Sequence, residues 1–537
     1  MTLSILIWLP LAIGLVGALL PARQAAQLAI GWSVVTLGIA VSFLARFHTG
    51  QAGLQFVTDK VWISSLGIHY ELGLDGLNVA LVTVATAVFC AAILWASTRR
   101  WERPRTFYFL FALAESAVLG AFCAQDLALF VAFFDLMLIP FYLLTGMWGT
   151  GDRVRATTKM VIYTLVGSFF MLVAAIATGV LASSRHGTPL TFSITALRAL
   201  PLSHTSQSWI FLCFAVAFLV KMPLVPFHGW LRDAYKSMPI PAVAVFSAIL
   251  SKVAAYGFLR IVLPLFPYAA VHFQTLMLVI ALVSVLWATV VAMTTPDARL
   301  VIAYSSVAQL GFITLGIFSL RTQGGQGALL QMVNHALVTA PLFFIVAALA
   351  ARAGGSEKLA DMGGIAFRAP VLASLFLIIT LATLAIPGSA NFVGEFMILL
   401  GLFDAKLPIA MLASVGVVGA AVYALRLYIR SMHNRVGPGV TSFDIGPGDL
   451  VAIVPVLAVI LVLAFYPQFG LRRSEPSLRS TLAAVNAQRA GGTLAAVADA
   501  AGVTAGGWTA YAPATSVQLV QARPTARLVR IAVRSAR

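Results

Sequence analysis

The sequence predicts an all-α polytopic membrane protein, on three observations. The 537-residue chain is 60% hydrophobic and only 10% charged, with a mean hydropathy of +0.96, whereas soluble domains run at about 45–50% apolar and about 25% charged. Apolar runs long enough to cross a bilayer, which takes roughly 20 residues, recur along the chain. Two of these runs are interrupted by proline and glycine, in KMPLVPFHGW and in LAIPGSANF.

Reading windows of that length gives about fourteen transmembrane helices, at 2–20, 27–46, 75–97, 106–123, 126–148, 159–182, 208–231, 239–266, 272–294, 299–319, 327–351, 369–403, 407–430 and 449–467. The first, MTLSILIWLPLAIGLVGALLP, has no basic residues ahead of its apolar stretch and reads as a first span, not a cleaved signal peptide. The run at 369–403 is too long for one straight crossing, and its internal proline and glycine predict a break. The run at 208–231 carries a similar interruption. Helices 7 and 12 are thus both expected to be broken, each as the fourth member of a block of five. Five spans is an odd number, so helices 4–8 and 9–13 form two inverted five-helix repeats, and breaks in such repeats point to the transport site. The expected organisation is N-terminal helices over 1–104, a first repeat over 105–267, a second over 268–431, helix 14 over 432–470, and an Ala/Gly/Arg-rich tail over 471–537.

Lysine and arginine collect in the loops after odd-numbered spans, as in RRWERPR at 99–105 and at Arg153, Arg155, Arg232, Lys236, Arg352 and Arg430. By the positive-inside rule the N-terminus then lies outside the cytoplasm. An even number of spans puts the C-terminus outside too, where the basic end RPTARLVRIAVRSAR runs against the rule, although long tails translocate largely regardless of charge. The tail is read as partly disordered.

The net charge of +17 would suggest nucleic acid in a soluble chain. Here the bases sit in short loops and serve orientation, so the lipid bilayer is the expected partner and nucleic acid is not. The three cysteines, Cys90, Cys123 and Cys213, each lie in an apolar run without C-x-x-C pairing, so no metal or iron–sulfur site is expected. GGQG at 324–327 reads as a turn between spans and not as a phosphate-binding loop, and no nucleophile–base arrangement stands out.

The chemistry is carried by ionisable residues inside the spans. Asp135 lies in FVAFFDLMLIP, Lys221 just before the break in span 7, Lys252 in SAILSKVAAYGF, His335 in QMVNHALVTAPLFF, and Glu395 after the break in NFVGEFMILL. A charged group at the centre of a membrane helix costs roughly 2.5–3.5 kcal/mol on insertion scales, so it implies a task and a partner. A lone histidine in a span is often a hydrogen-bonded core residue. Five such groups, one to a helix and running acid, lysine, lysine, histidine, acid, instead suit proton transfer: Asp135 and Lys221 as a switching pair, Lys252 and His335 as carriers, Glu395 as terminal acceptor. Glu115 in ALAESAVLG is a further candidate buried acid. Glu71 and Asp75 in HYELGLDGLN read as loop or interface groups, and Tyr304 with the serines of AYSSVAQLGF either lines a wet path or packs between helices.

FFDLMLIPFYLLTGMWG, FLVKMPLVPFHGWLRDAY, ILSKVAAYGFLRI, IAYSSVAQLGF and PGSANFVGEFMIL resemble, in that order, the antiporter-like proton-translocating subunits of respiratory complex I. PGSANFVGEF, with its acid, and YPQ at 466–468 resemble the chain M / subunit 4 family of NADH–quinone oxidoreductase; related L and N subunits and an Mrp-type antiporter subunit usually carry a lysine in place of Glu395. The resemblance covers roughly 60–470. It implies a fourteen-helix core with two inverted repeats, proton transfer by Asp135, Lys221, Lys252, His335 and Glu395, no cofactor in this chain, and a bacterial inner (cytoplasmic) membrane location. NADH, FMN, iron–sulfur clusters and quinone are then bound by other subunits of the complex, and the neighbours are antiporter-like L- and N-type subunits. The sequence departs from the family at two points: Asp135 stands where Glu is usual, and Gln309 where a histidine is often found. An Mrp-type cation/proton antiporter subunit, a hydrogenase-complex membrane subunit and a non-transporting scaffold are the alternatives.

Overall fold

A computed structural model describes residues 2–441 and 443–491. Its helices are α1 (Leu3–Leu19), α2 (Ala22–Arg46), α3 (Val79–Ser97), α4 (Pro104–Cys123), α5 (Leu127–Leu136), α6 (Leu138–Trp148), α7 (Arg153–His186), α8 (His204–Lys221), α9 (Leu231–Ser237), α10 (Ile240–Leu265), α11 (Gln274–Thr294), α12 (Ala298–Phe318), α13 (Thr322–Arg352), α14 (Pro370–Thr383), α15 (Ala390–Ala405), α16 (Leu407–Met432), α17 (Pro447–Phe465) and α18 (Gln468–Arg489). Among the described residues, 11 helical segments are long and apolar enough to cross a membrane, Leu127–Trp148 being one of them. The other three expected spans are the short α1 and the two interrupted runs, at 208–231 and 369–403, whose helices end at Lys221 and Thr383.

Short polar residues start several helices. Asp126 accepts from the backbone N–H groups of Ala128 and Leu129 at the head of α5. Asp297 accepts from Leu300 N at the head of α12. Ser389 accepts from Phe392 N at the head of α15. Each satisfies donors that have no partner within the helix. Between α14 and α15 the chain runs extended at Leu384 and turns at Gly388, whose φ of +89° suits glycine.

The all-α expectation needs one correction. QFVTDKVWI and IHYELGL form an antiparallel hairpin, β1 (Gln55–Ile63) and β2 (Ile68–Leu74). These stretches are rich in β-branched and aromatic residues with polar residues interspersed, which is strand chemistry on a half-exposed surface. The hairpin docks on the segment before α5: Gln125 N donates to Glu71 O at 2.8 Å, and His69 N to Asp126 Oδ2 at 3.1 Å.

Two further expectations change. GGQG is no turn but the first part of α13, where glycine lets α13 and α15 meet backbone to backbone: a Cβ on Gly327 would lie 2.7 Å from Gly394 O, and one on Gly401 2.6 Å from Gly324 N. The expected tail opens as α18, which begins at Gln468 and runs past the boundary at 470. Ser477 Oγ accepts from Gly76 N at 3.0 Å, and Arg198 and Arg489 donate to Ser480 O and Leu320 O, so α18 ties together ends of several helices. The remainder of the tail reading falls on 492–537, outside the described residues.

The centre of the molecule is built by α10, α12 and α13, which are almost entirely buried, whereas α7, α16 and α17 turn apolar faces outward. Two turns of α10, Phe246–Leu250 and Phe258–Val262, are π-helical. Such widened turns free backbone groups and are frequent at functional sites.

Candidate functional site

Asp135 lies near the end of α5, beside the joint with α6 at Met137, and is partly exposed. Lys221 is the last residue of α8 and is 4% exposed. The negative end of a helix dipole suits a cation there. Its Nζ lies 4.8 Å from the centre of the Phe134 ring, an approach that favours the ammonium. Neither Lys221 Nζ nor Asp135 Oδ1 has a hydrogen-bond partner among the described residues, yet the two groups interact through space, with Ser168 of α7 beside the acid. The two groups are thus not in direct contact. The break after Lys221 is closed by Trp230, whose indole N–H donates to Val220 O at 3.1 Å, and by Leu224 N on Leu219 O at 3.1 Å.

Lys252 is 1% exposed on α10. Its Nζ donates to Ser247 O at 2.8 Å, five residues back and inside the first π-helical turn, so the widened turn supplies the acceptor. Ser247 Oγ donates to Ser306 Oγ of α12 at 3.2 Å, which gives one of the serines of AYSSVAQLGF a place in the site. His335 on α13 is 4% exposed, within electrostatic reach of Lys252, and contacts the Thr339 hydroxyl at 3.3 Å.

Glu395 on α15 is fully buried. Its Oε1 accepts from Gln309 Nε2 at 2.9 Å and from Gln331 Nε2 at 3.3 Å, and Gln331 also donates to Gln309 Oε1 at 2.7 Å. Gln309 therefore belongs to the site as a hydrogen-bonding group. Gly394 makes room for this arrangement, since a Cβ there would lie 2.4 Å from Gln331 Oε1. Tyr423 of α16 stands against both Gln309 and Glu395. A cavity of about 30 Å³ lined by His335, Thr339, Gln309, Thr380, Asn391 and Tyr423 connects this end to His335.

The structure thus groups the five predicted residues as Asp135 with Lys221, Lys252 with His335, and Glu395 with two glutamines. Sequence reasoning passed over Gln331 and Tyr423. Gln331 was findable: it stands four residues before His335, on the same helix face. Tyr423 carried no such signal. Asp75 lies in the loop between β2 and α3, where it is 3% exposed and ion-paired to Arg260, which also donates to Tyr256 Oη at 2.8 Å. Glu115, also fully buried, accepts from Trp32 Nε1 at 3.1 Å and stands apart from this array.

Outside the spans, one end of the bundle carries an ion-pair network. Lys236 of α9 bridges Asp297 and Glu357, and Arg299 of α12 also pairs with Glu357. The network joins α9, which follows the end of α8, to the head of α12.

Residues 124–420 match the family described as NADH:quinone oxidoreductase/Mrp antiporter, TM. The chain is 35% identical over 499 residues to NADH-quinone oxidoreductase subunit M of Rhodobacter capsulatus, covering 89% of this chain and 95% of that protein. Its structure is similar to a chain of respiratory complex I from Thermus thermophilus with bound NADH, with a TM-score of 0.81 and 30% identity over 90% of this chain and 100% of that one. A chain of the Mrp complex from a Dietzia species shares the fold at a TM-score of 0.78 but only 20% identity, over 92% of this chain and 99% of that one.

Proposed function

This chain belongs to the NADH:quinone oxidoreductase/Mrp antiporter transmembrane family, and from that premise we propose that it is the M-type proton-translocating subunit in the membrane arm of an NADH–quinone oxidoreductase. In this reading the chain carries no redox group. NADH, FMN, iron–sulfur clusters and quinone are held by other subunits, and quinone reduction there drives proton movement here. Its neighbours are L- and N-type antiporter-like subunits in a bacterial inner membrane. Asp135 sets the proton affinity of Lys221, Lys252 and His335 carry the proton onward, and Glu395 receives it. Fourteen spans in two inverted repeats, helices 7 and 12 broken, frame this path.

The observation that carries the reading is Lys221, a buried ammonium at the end of an interrupted helix, without a hydrogen-bond partner and facing a carboxylate through space. A lysine held in place by a direct ion pair would be a structural element. One left without a direct partner can exchange a proton when the field of Asp135 changes. An Mrp-type antiporter subunit is the second reading, and Glu395, where one such subunit usually has lysine, speaks against it. The test is proton uptake into inverted membrane vesicles by assembled complex carrying Lys221→Ala or Asp135→Ala. Both are expected to lose pumping; intact pumping in both would leave a scaffold.

A further inference from the structure

We propose that Thr380 and Asn391 form a water seat in the gap of the second broken helix, and that a proton moving between His335 and Glu395 crosses it. The two are positioning residues for the relay, so the inference rests on the proposed function. Asn391, the second residue of α15, donates through Nδ2 to Thr383 O, the last carbonyl of α14, at 3.3 Å. That bond fixes the amide across the gap and leaves its Oδ1 as an acceptor. Thr380 lies one turn before the end of α14. Threonines inside membrane helices commonly turn their hydroxyl back to the carbonyl four residues earlier, and Thr164, Thr178 and Thr314 all do so. The Thr380 hydroxyl does not.

Asn391 is 1% exposed and Thr380 2%. Asn391 Oδ1 and Thr380 Oγ1 have no hydrogen-bond partner among the described residues, and both residues line the cavity that reaches His335. A buried polar oxygen without a partner is costly, and two of them around one cavity mark a place built for something that hydrogen-bonds. The cavity measures about 30 Å³. One water needs roughly 10–15 Å³ and two to four polar partners. Asn391 Oδ1 can accept a hydrogen bond from the water, and the hydroxyls of Thr380 and Thr339 either donate or accept. A water so held can pass a proton between the imidazole and the carboxylate end without itself being a fixed charge. The alternative ligand, a metal cation, is disfavoured by the positive form of His335, which lines the cavity with Lys252 within electrostatic reach of it.

The test uses whole complex in inverted vesicles, reading protons taken up per quinone reduced. Thr380→Val keeps the side-chain shape and removes only the hydroxyl; Thr380→Ser keeps the hydroxyl. The expected result is a fall in that ratio for Thr380→Val as large as His335→Ala gives, a similar fall for Asn391→Leu, and a normal ratio for Thr380→Ser. His335→Ala and Glu395→Gln serve as relay controls. If these controls fail to pump while Thr380→Val and Asn391→Leu pump normally, the relay stands and the seat is wrong. If the controls pump normally, the relay reading falls and the seat with it. Should Asn391→Leu prevent assembly, the Thr380 pair decides. Ordered solvent within hydrogen-bonding distance of both oxygens in a high-resolution structure of the wild-type complex supports the seat, and its absence there refutes it.

Discussion

Gly394→Ala is a small change with a calculable effect. In an ordinary helix the alanine would gain about 1 kcal/mol over glycine. Here the new Cβ would lie 2.4 Å from Gln331 Oε1, about 1 Å inside the distance of ordinary contact. The atom it meets is the far end of a flexible side chain, which moves more easily than two closely packed helices part. The amide of Gln331 must therefore swing away, and it takes with it the 2.7 Å bond to Gln309 and the 3.3 Å bond to Glu395. A neutral hydrogen bond contributes about 1 kcal/mol and one to a charged group about 1.5–3. Set against the helix gain, the net loss is about 1.5–3 kcal/mol, or roughly tenfold or more in the population of the ordered Glu395 site. The complex is expected to assemble and to reduce quinone, with protons taken up per quinone reduced falling as far as Glu395→Gln makes them fall. Adding Gln331→Asn, which shortens the side chain and removes the clash, should improve assembly without restoring the bonds. If Gly394→Ala pumps as well as the wild type, Gln331 plays no part in holding Glu395 and the reasoning is refuted.

Asp135→Glu should be tolerated, since the longer acid only closes the distance to Lys221, whereas Asp135→Asn should pump at a small fraction of the normal rate in vesicles; normal pumping by the Asn variant would remove Asp135 from the mechanism. Glu71, on the hairpin, is pushed up to about 7 by burial, with Asp59 and Asp126 adding to the rise and Ser193 and His69 opposing it. An acid raised in the folded state stabilises docking fully below its unfolded value near 4.5 and loses that contribution as pH rises through about 7. Trypsin cleavage at the exposed Lys60 should therefore speed up between pH 6 and pH 8 (roughly, by the linkage sign) beyond the enzyme's own pH profile, and Glu71→Gln should flatten that difference. In the ion-pair network, Lys236→Ala removes a half-exposed cation worth about 0–1 kcal/mol and should leave thermal stability nearly unchanged. Arg299→Leu removes a largely buried cation that donates to the carbonyls of Tyr235, Lys236 and Met238 and leaves Glu357 only the half-exposed Lys236; it should cost more, about 1–3 kcal/mol, seen as a clear loss of assembled complex, and equal effects from the two would contradict this ranking.

Much of this architecture was legible in the sequence because a bilayer demands long apolar runs and makes each internal charge conspicuous. Asp135, Lys221, Lys252, His335 and Glu395 stood out for that reason. The hairpin did not, because its strands carry Asp59, Lys60 and Glu71 between two apolar runs and lack a clean alternation. The π-helical turn beneath Lys252 was invisible because FSAIL has no distinguishing composition; only the bond from Lys252 to Ser247 O discloses it. Neutral partners were the hardest to find. Gln331, Tyr423 and Asn391 carry no net charge, and their part in the site depends on which helix faces which.

Trp230 decides which half of the Asp135–Lys221 pair can yield. A helix interruption with open carbonyls is a natural hinge, but the Val220 carbonyl is already occupied by the Trp230 indole, itself fully buried. Bending there would break that bond and pull a large aromatic ring out of its packing. Lys221 is thus mounted on a stiff post, and only its side chain can swing. Asp135 sits two residues before the joint between α5 and α6, where Ala132 of α5 and Ile139 of α6 both face outward. Separation of the pair is cheapest as a rocking of the acid's helix against a stationary lysine. A push arriving from a neighbouring molecule would therefore be felt first by the carboxylate.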